Sequence, residues 1–131
     1  MDQLDFQITI AGGGNLAHAS VACIGHHCPG VKINVLTRRP KEWGKSVVGQ
    51  TKDSIWAYKG IITGKIQRVS DDPAEVVPGS RIVIIASPNH VREDILERAA
   101  PHLSEDTMVG SVYGSGGFDL MGLSVLGESF A

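Results

Sequence analysis

The sequence has no apolar run of the about 18 residues that a membrane-spanning helix needs, no basic stretch at its start, and no excess of charge of either sign. Met1 to Ala11 carries Asp2 and Asp5 where a leader would carry lysines or arginines, so no targeting segment shows and a cytoplasmic location is expected. Lysine plus arginine number 12 against 14 acidic residues, a net charge of −2 with a pI near 6.2. That leaves no basic footprint for nucleic acid or for an anionic membrane surface. There are only two cysteines, Cys23 and Cys28. In CIGHHC they bracket His26 and His27, residue types that ligate zinc, but the spacing matches no common ligand pair. The segment also falls where a first helix should turn through Pro29 and Gly30 into the next strand. Reduced thiols beside exposed histidines are therefore expected, and no metal site is assigned. Repeats, low-complexity tracts and linkers are absent too, and 131 residues, 42% of them hydrophobic, suit one domain and not two.

What the chain does have is glycine, 16 of 131 residues against a usual share of about 7%. Its placement is informative. Phe6 to Ala11 (FQITIA) is an apolar, β-branched run, Gly12, Gly13 and Gly14 follow at once, and from Asn15 and Leu16 onward small and apolar residues recur at helical spacing. Gly12, Gly14 and Ala17 fit G-x-G-x-x-[G/A] directly between a strand and a helix, the context that makes this motif informative. In that motif the first glycine lets the chain turn sharply off the strand. The second lets the backbone approach a pyrophosphate, and the third small residue lets the helix press against the sheet. A helix starting at Asn15 aims its unpaired N–H groups at the phosphates. A glycine-rich turn that binds nothing is the alternative.

Along the chain, strands alternate with helices in the manner of a parallel sheet. The pattern predicts strand one at Phe6 to Ala11, helix one from Asn15 to about Gly25, strand two at Val31 to Leu36 and a short helix at Lys41 to Val48. Ser54 to Tyr58 and Ile61 to Thr63 flank Lys59-Gly60, which reads as a two-residue hairpin turn, and Lys65 to Val69 as a strand rejoining the sheet. Asp71-Asp72-Pro73 opens a short helix with acids in its first turn, and Pro78-Gly79 closes it. Arg81 to Ala86 (RIVIIA) reads as a fully buried strand, Val91 to Ala100 as a helix and Thr107 to Val112 as a strand. Gly114, Gly116 and Gly117 then form a loop before the apolar stretch Phe118 to Leu126. The expected fold is α/β: a Rossmann-type, doubly wound, mostly parallel sheet with a β-hairpin insertion, in a single domain.

The cofactor is read at the end of strand two. There an NAD-binding domain carries an acid for the adenosine ribose hydroxyls, whereas this chain has Thr37-Arg38-Arg39. Two guanidinium groups suit a 2′-phosphate, so NADP is expected ahead of NAD. The alternative is ordinary surface arginines, one of them stacked on adenine. Ser87-Pro88, at the carboxyl end of a central strand, completes the expected cofactor set of Gly12, Gly13, Gly14, Asn15, Leu16, Thr37, Arg38, Arg39, Ser87 and Pro88. His18 reads as a helix-packing histidine before a cofactor neighbour, and His90 as a site candidate level with an exposed loop histidine. Asp94, Glu97 and Arg98 read as a solvated helix face. Trp43 and Trp56 read as packing beneath the hairpin, with cover for adenine as the alternative.

Together, GGGNLAH after strand one, VLTRRPKEW, PAEVVPGSRIVIIASP and YGSGGFD resemble the N-terminal nucleotide-binding domain of the octopine and nopaline (opine) dehydrogenases. The resemblance runs over nearly the whole chain. Its most specific parts are Asn15 in the glycine loop and Gly116-Gly117-Phe118. It implies reductive joining of an amino acid to a 2-oxo acid with NAD(P)H as hydride donor. It also implies a second, mostly helical domain carrying the catalytic histidine and aspartate. The 131 residues stop where that domain would begin, so the expectation is a dinucleotide-binding domain over 1–131 that is inactive alone, and no catalytic residue is assigned. A stand-alone dinucleotide-binding or interaction module, and the cofactor domain of a hydroxy-acid dehydrogenase, remain as alternatives. The apolar residues of Val112 to Leu126 exceed what one sheet face can hide, which leads to an expected homodimer through this segment or the hairpin.

Overall fold

The computed structural model describes residues 5–51, 60–113 and 117–127. Five strands, β1 (Gln7–Ala11), β2 (Lys32–Leu36), β5 (Arg68–Ser70), β6 (Ser80–Ile85) and β7 (Met108–Ser111), form one parallel sheet in the order β5-β2-β1-β6-β7. The α/β expectation holds, and so does its parallel character. Beyond their first residues β1 and β2 are buried on both faces, because helices cover both sides of the sheet. Thr9 is fully buried, and its Oγ1 donates to the Val76 carbonyl at 2.6 Å, which satisfies the hydroxyl inside the core.

Two apolar layers flank the sheet. On one side α1 (Asn15–His27) sets Ala17 and Val21 against Ile8, Ile10, Ile33 and Val35. On the other, α2 (Pro73–Val76) and α3 (Asn89–Ala99) bury Val76, Leu96 and Ala99 with Leu36, Val83 and Ile85. Burying one such aliphatic side chain contributes about 1.5–3 kcal/mol. α2 begins where the acids and proline predicted it, the Asp72 carboxylate accepting from the Ala74 N–H at 3.0 Å. The stretch from Phe118 to Leu126 is a helix, α4, whose Phe118, Met121, Val125 and Leu126 lean on the α3 side while Leu120 and Leu123 stay exposed.

The insertion differs in detail from the sequence expectation. Lys41 to Val48 is not a helix: Pro40–Glu42 makes one 3-10 turn, and Ser46–Thr51 is strand β3. β3 pairs antiparallel with β4 (Gly60–Lys65), Thr51 opposite Gly60, so the partner of Ile61 to Thr63 is Val48 to Gln50, not Ser54 to Tyr58. Gly60 is thus a paired strand residue and not half of a two-residue turn; Ser54 to Lys59 lie outside the described residues. The strand rejoining the sheet is Arg68–Ser70, and Lys65 belongs to β4. What fixes this pairing is the outer face of α1. A Cβ on Gly64 would collide with the Val21 carbonyl, and one on Gly25 with the Gly64 backbone, so the hairpin lies backbone to backbone on the helix. α1 also runs on to His27, capped at Cys28. Cys23 is exposed and Cys28 half-buried, both as free thiols. His27 is exposed as expected, whereas His26 is half-buried with its Nδ1 3.5 Å from the Thr63 N–H. Among the described residues no group of three His, Cys, Asp or Glu is placed to hold a metal, and no helix is long and apolar enough to cross a membrane.

Candidate functional site

β1 has β2 on one side and β6 on the other, so the chain reverses its direction of winding between β1 and β6. A crevice opens at the carboxyl ends of the strands at such a reversal. Here the ends are tied together: the Gly12 N–H donates to Leu36 at 2.9 Å, the Ala86 N–H to Ala11 at 2.8 Å and the Thr37 N–H to Ser70 at 2.9 Å. The crevice is a cleft of about 280 Å³ lined by Gly12, Gly13 and Gly14, Leu36 to Arg39, Ser87 and Pro88, with Val91, Ile95 and Arg98 from α3.

The three glycines differ in what they face. Gly12 sits at φ +152°, and a Cβ there would collide with the Ala86 carbonyl, so the fold itself requires glycine. At Gly13 a Cβ would lie 2.7 Å from Thr37 Oγ1, and Arg39 Nη2 is 4.0 Å away, which places that guanidinium over the loop. At Gly14 a Cβ would meet nothing within 4 Å. Gly14 is the N-cap of α1 and offers no side-chain cap, no acid occupies the first turn, and the first amide bond of the helix is His18 N–H to Gly14 O at 3.1 Å. The N–H groups of the preceding turn therefore have no intrahelical partner. The Ser87 hydroxyl, in the same lining, is buried and has no hydrogen-bond partner among the described residues.

Of the expected cofactor residues, all but Asn15 and Leu16 line the cleft; Asn15 is exposed at the start of α1 and Leu16 packs toward the α1-side core. Both arginines carry partners. Arg38 Nη2 meets Asp94 Oδ2 at 2.6 Å, and Arg39 Nη1 meets Glu42 Oε2 at 3.4 Å. His18 packs, as expected: its ring stacks on Trp43 at 3.7 Å between centroids, and its Nδ1–H donates to the Gly14 carbonyl at 2.8 Å. Trp43 leans on the α1-side core, and Trp56 lies outside the described residues, as do Gly114 and Gly116. His90 is exposed on the first turn of α3 and lines no part of the cleft.

The reading of Asp94, Glu97 and Arg98 as one solvated face needs correction for Arg98, and Asp94, though solvated, has a partner. Asp94 holds Arg38, and Arg98 lines the cleft; Glu97 is exposed. The signal was in the spacing, because Val91, Asp94, Ile95 and Arg98 recur every three or four residues and share one face of α3. Arg92, which the sequence reading passed over, is 4% exposed, with Nε 3.3 Å from the Ser87 carbonyl, Nη2 3.4 Å from that of Val112, and the Phe118 ring beneath it. It ties the cleft loop at Ser87 to the end of β7 and to α4. Among the described residues lining the cleft there is no histidine and no carboxylic acid.

No protein-family model matches the chain. In sequence it is 26% identical over 126 residues to an uncharacterized protein, y4xO, of Sinorhizobium fredii, a match over 92% of this chain and 32% of that protein. In structure, octopine dehydrogenase with NADH and L-arginine superposes at a TM-score of 0.83 and 19% identity, over 96% of this chain and 33% of the other. Yersinopine dehydrogenase with NADP+ bound gives 0.74 at 17% identity, over 97% of this chain and 33% of the other. The chain spans about a third of the length of each of these proteins. At such identities what is shared is the fold: the chain has the Rossmann architecture of the part of the octopine and yersinopine dehydrogenases that it matches.

Proposed function

We propose that residues 1–131 form the NADP(H)-binding domain of an opine-dehydrogenase-like oxidoreductase, one that joins an amino acid to a 2-oxo acid reductively. The observation that carries this reading is the open wall at Gly14. The fold requires glycine at Gly12, but at Gly14 it leaves free space beside a helix start whose first N–H groups have no partner within the helix, where a pyrophosphate fits. The Ser87 hydroxyl, which lines the same cleft and has no partner among the described residues, fits a polar ligand in the same way. Gly12, Gly13, Gly14, Asn15 and Leu16 would hold the pyrophosphate, with Ser87 and Pro88 facing it. Thr37, Arg38 and Arg39 would hold the adenosine end, the arginines favouring NADP over NAD.

The dinucleotide, when bound, supplies the hydride. The chain's part is to bind and orient it: Leu36, Val91 and Ile95 give the cleft an apolar wall, and the arginines give it a cationic rim. Proton transfer needs a group within hydrogen-bond reach of the reacting atoms, and the described cleft lining supplies no acid or base, so that group comes from outside this lining. Octopine dehydrogenase with NADH and yersinopine dehydrogenase with NADP+ support the choice of a nicotinamide cofactor by likeness of fold. The exposed apolar residues of α4, Leu120 and Leu123, support a homodimer.

The test is equilibrium titration with NADPH and NADH. The wild-type protein binds both, NADPH more tightly, and the Arg38→Ala, Arg39→Ala double variant loses NADPH affinity by tenfold or more relative to NADH, on the order of one charge-assisted contact. Equal losses for both cofactors would remove the NADP assignment. Absence of binding to either would remove the reading.

A further inference from the structure

Three guanidinium groups, Arg38, Arg39 and Arg98, line the cleft, and two carboxylates outside its lining, Asp94 and Glu42, take up the first two. Arg98 is different. Among the described residues it has no carboxylate partner, and its Nη2 donates to the backbone carbonyl of Asp71, just beyond the end of β5. Asp71 follows Ser70, whose carbonyl accepts from Thr37, so Arg98 is anchored beside the same strand ends that carry Arg38 and Arg39. Among the described residues lining the cleft, the cation without a carboxylate partner is thus on α3 and not at the end of β2. One turn earlier on the same helix, Asp94 neutralises Arg38.

We infer that Arg98 is a specificity-determining residue for the 2′-phosphate of NADP(H), and that Asp94 limits the share of Arg38 charge open to it. This rests on the reading of the cleft as a dinucleotide site. The physical argument is one of charge. A phosphate monoester carries about −1.5 to −2 at neutral pH; a guanidinium already paired at 2.6 Å with a carboxylate offers it little net field, whereas one bound only to a carbonyl keeps its full charge. The Arg38–Asp94 pair is also largely solvated, at 68% and 45% side-chain exposure, and exposed pairs are weak enough to re-form around an incoming anion. Asp94 therefore competes with the phosphate and does not block it.

The experiment titrates NADPH, NADH, adenosine 2′-monophosphate and adenosine 5′-monophosphate into the wild type and into Arg98→Gln, Arg98→Lys and Asp94→Asn. Arg98→Gln should weaken NADPH and the 2′-monophosphate about tenfold while NADH and the 5′-monophosphate change less than about twofold. Arg98→Lys should recover part of the loss, because it restores the charge without the fork. Asp94→Asn should raise the preference for NADPH over NADH about threefold. The ratio between the two cofactors is read within one folded sample, so a general loss of stability does not mimic it. Equal weakening of NADPH and NADH by Arg98→Gln, or no change in either, overturns the inference and leaves the cofactor reading in place. A wild type that binds neither dinucleotide overturns both.

Discussion

Gly12 and Ala86 meet backbone to backbone at the point where the sheet reverses its winding: a Cβ on Gly12 would collide with the Ala86 carbonyl, at a φ of +152° that side chains rarely adopt. The loop that opens the cleft is therefore also a joint between β1 and β6. Strain of this kind costs about 1–3 kcal/mol before any displacement of the neighbouring strand. Gly12→Ala is expected to lower the unfolding free energy by about 2–4 kcal/mol in urea titration. An unchanged midpoint with an unchanged slope would contradict this joint.

A second close approach holds the hairpin. Gly64→Ala drives a methyl group into the Val21 carbonyl, so β3 and β4 must lift from α1. Hydrogen exchange should show faster exchange across Ser46–Thr51 and Gly60–Lys65 with β1, β2 and β6 still protected. Uniform protection in the variant would mean that the hairpin is docked by other contacts.

Much of the sheet was legible in the sequence because its signals are local. Ile82 to Ala86 is a continuous apolar run of strand length, FQITIA alternates apolar with polar residues at the strand period, and the glycine loop follows the second directly. The hairpin was misplaced because its register is not local: SVVGQT carries no alternation that marks a strand, and its pairing is set by glycines at 25 and 64 that meet only after α1 and β4 pack. The glycines and Thr37-Arg38-Arg39 were found by their position after strands. Asp94 and Arg98 were missed because charge on a helix face reads as solvated until the facing element is known, and here that element is the end of β2, 56 residues away along the chain from Asp94 to Arg38.

The Ser87 hydroxyl is buried without a partner among the described residues, a state that costs stability in the free protein. Ser87→Ala is expected to raise the unfolding free energy by up to about 1 kcal/mol and to weaken dinucleotide binding about fivefold, on the order of one neutral hydrogen bond. Thermal unfolding and titration on the same sample check the two signs. A less stable variant with unchanged affinity would assign Ser87 to the fold alone.

Leu120, 67% exposed, and Leu123, 41% exposed, leave an apolar face on α4. Light scattering at high concentration should give a dimer for the wild type and a monomer for the Leu120→Lys, Leu123→Lys double variant. A wild-type monomer would refute self-association, and a dimer that survives the change would move the interface to the hairpin, where Val48 and Ile61 are exposed.

The most direct measurement uses the one glycine of the loop that the fold does not need. Gly14 is extended, at φ −94° and ψ −165°, with open space where a side chain would go, so Gly14→Val should cost no more than about 1 kcal/mol, the loss expected at a helix N-cap. Titration calorimetry of this folded variant is expected to show NADPH and NADH both weakened tenfold or more, because the added side chain fills the space proposed for the pyrophosphate. Equal affinity in wild type and variant would contradict dinucleotide binding at this loop.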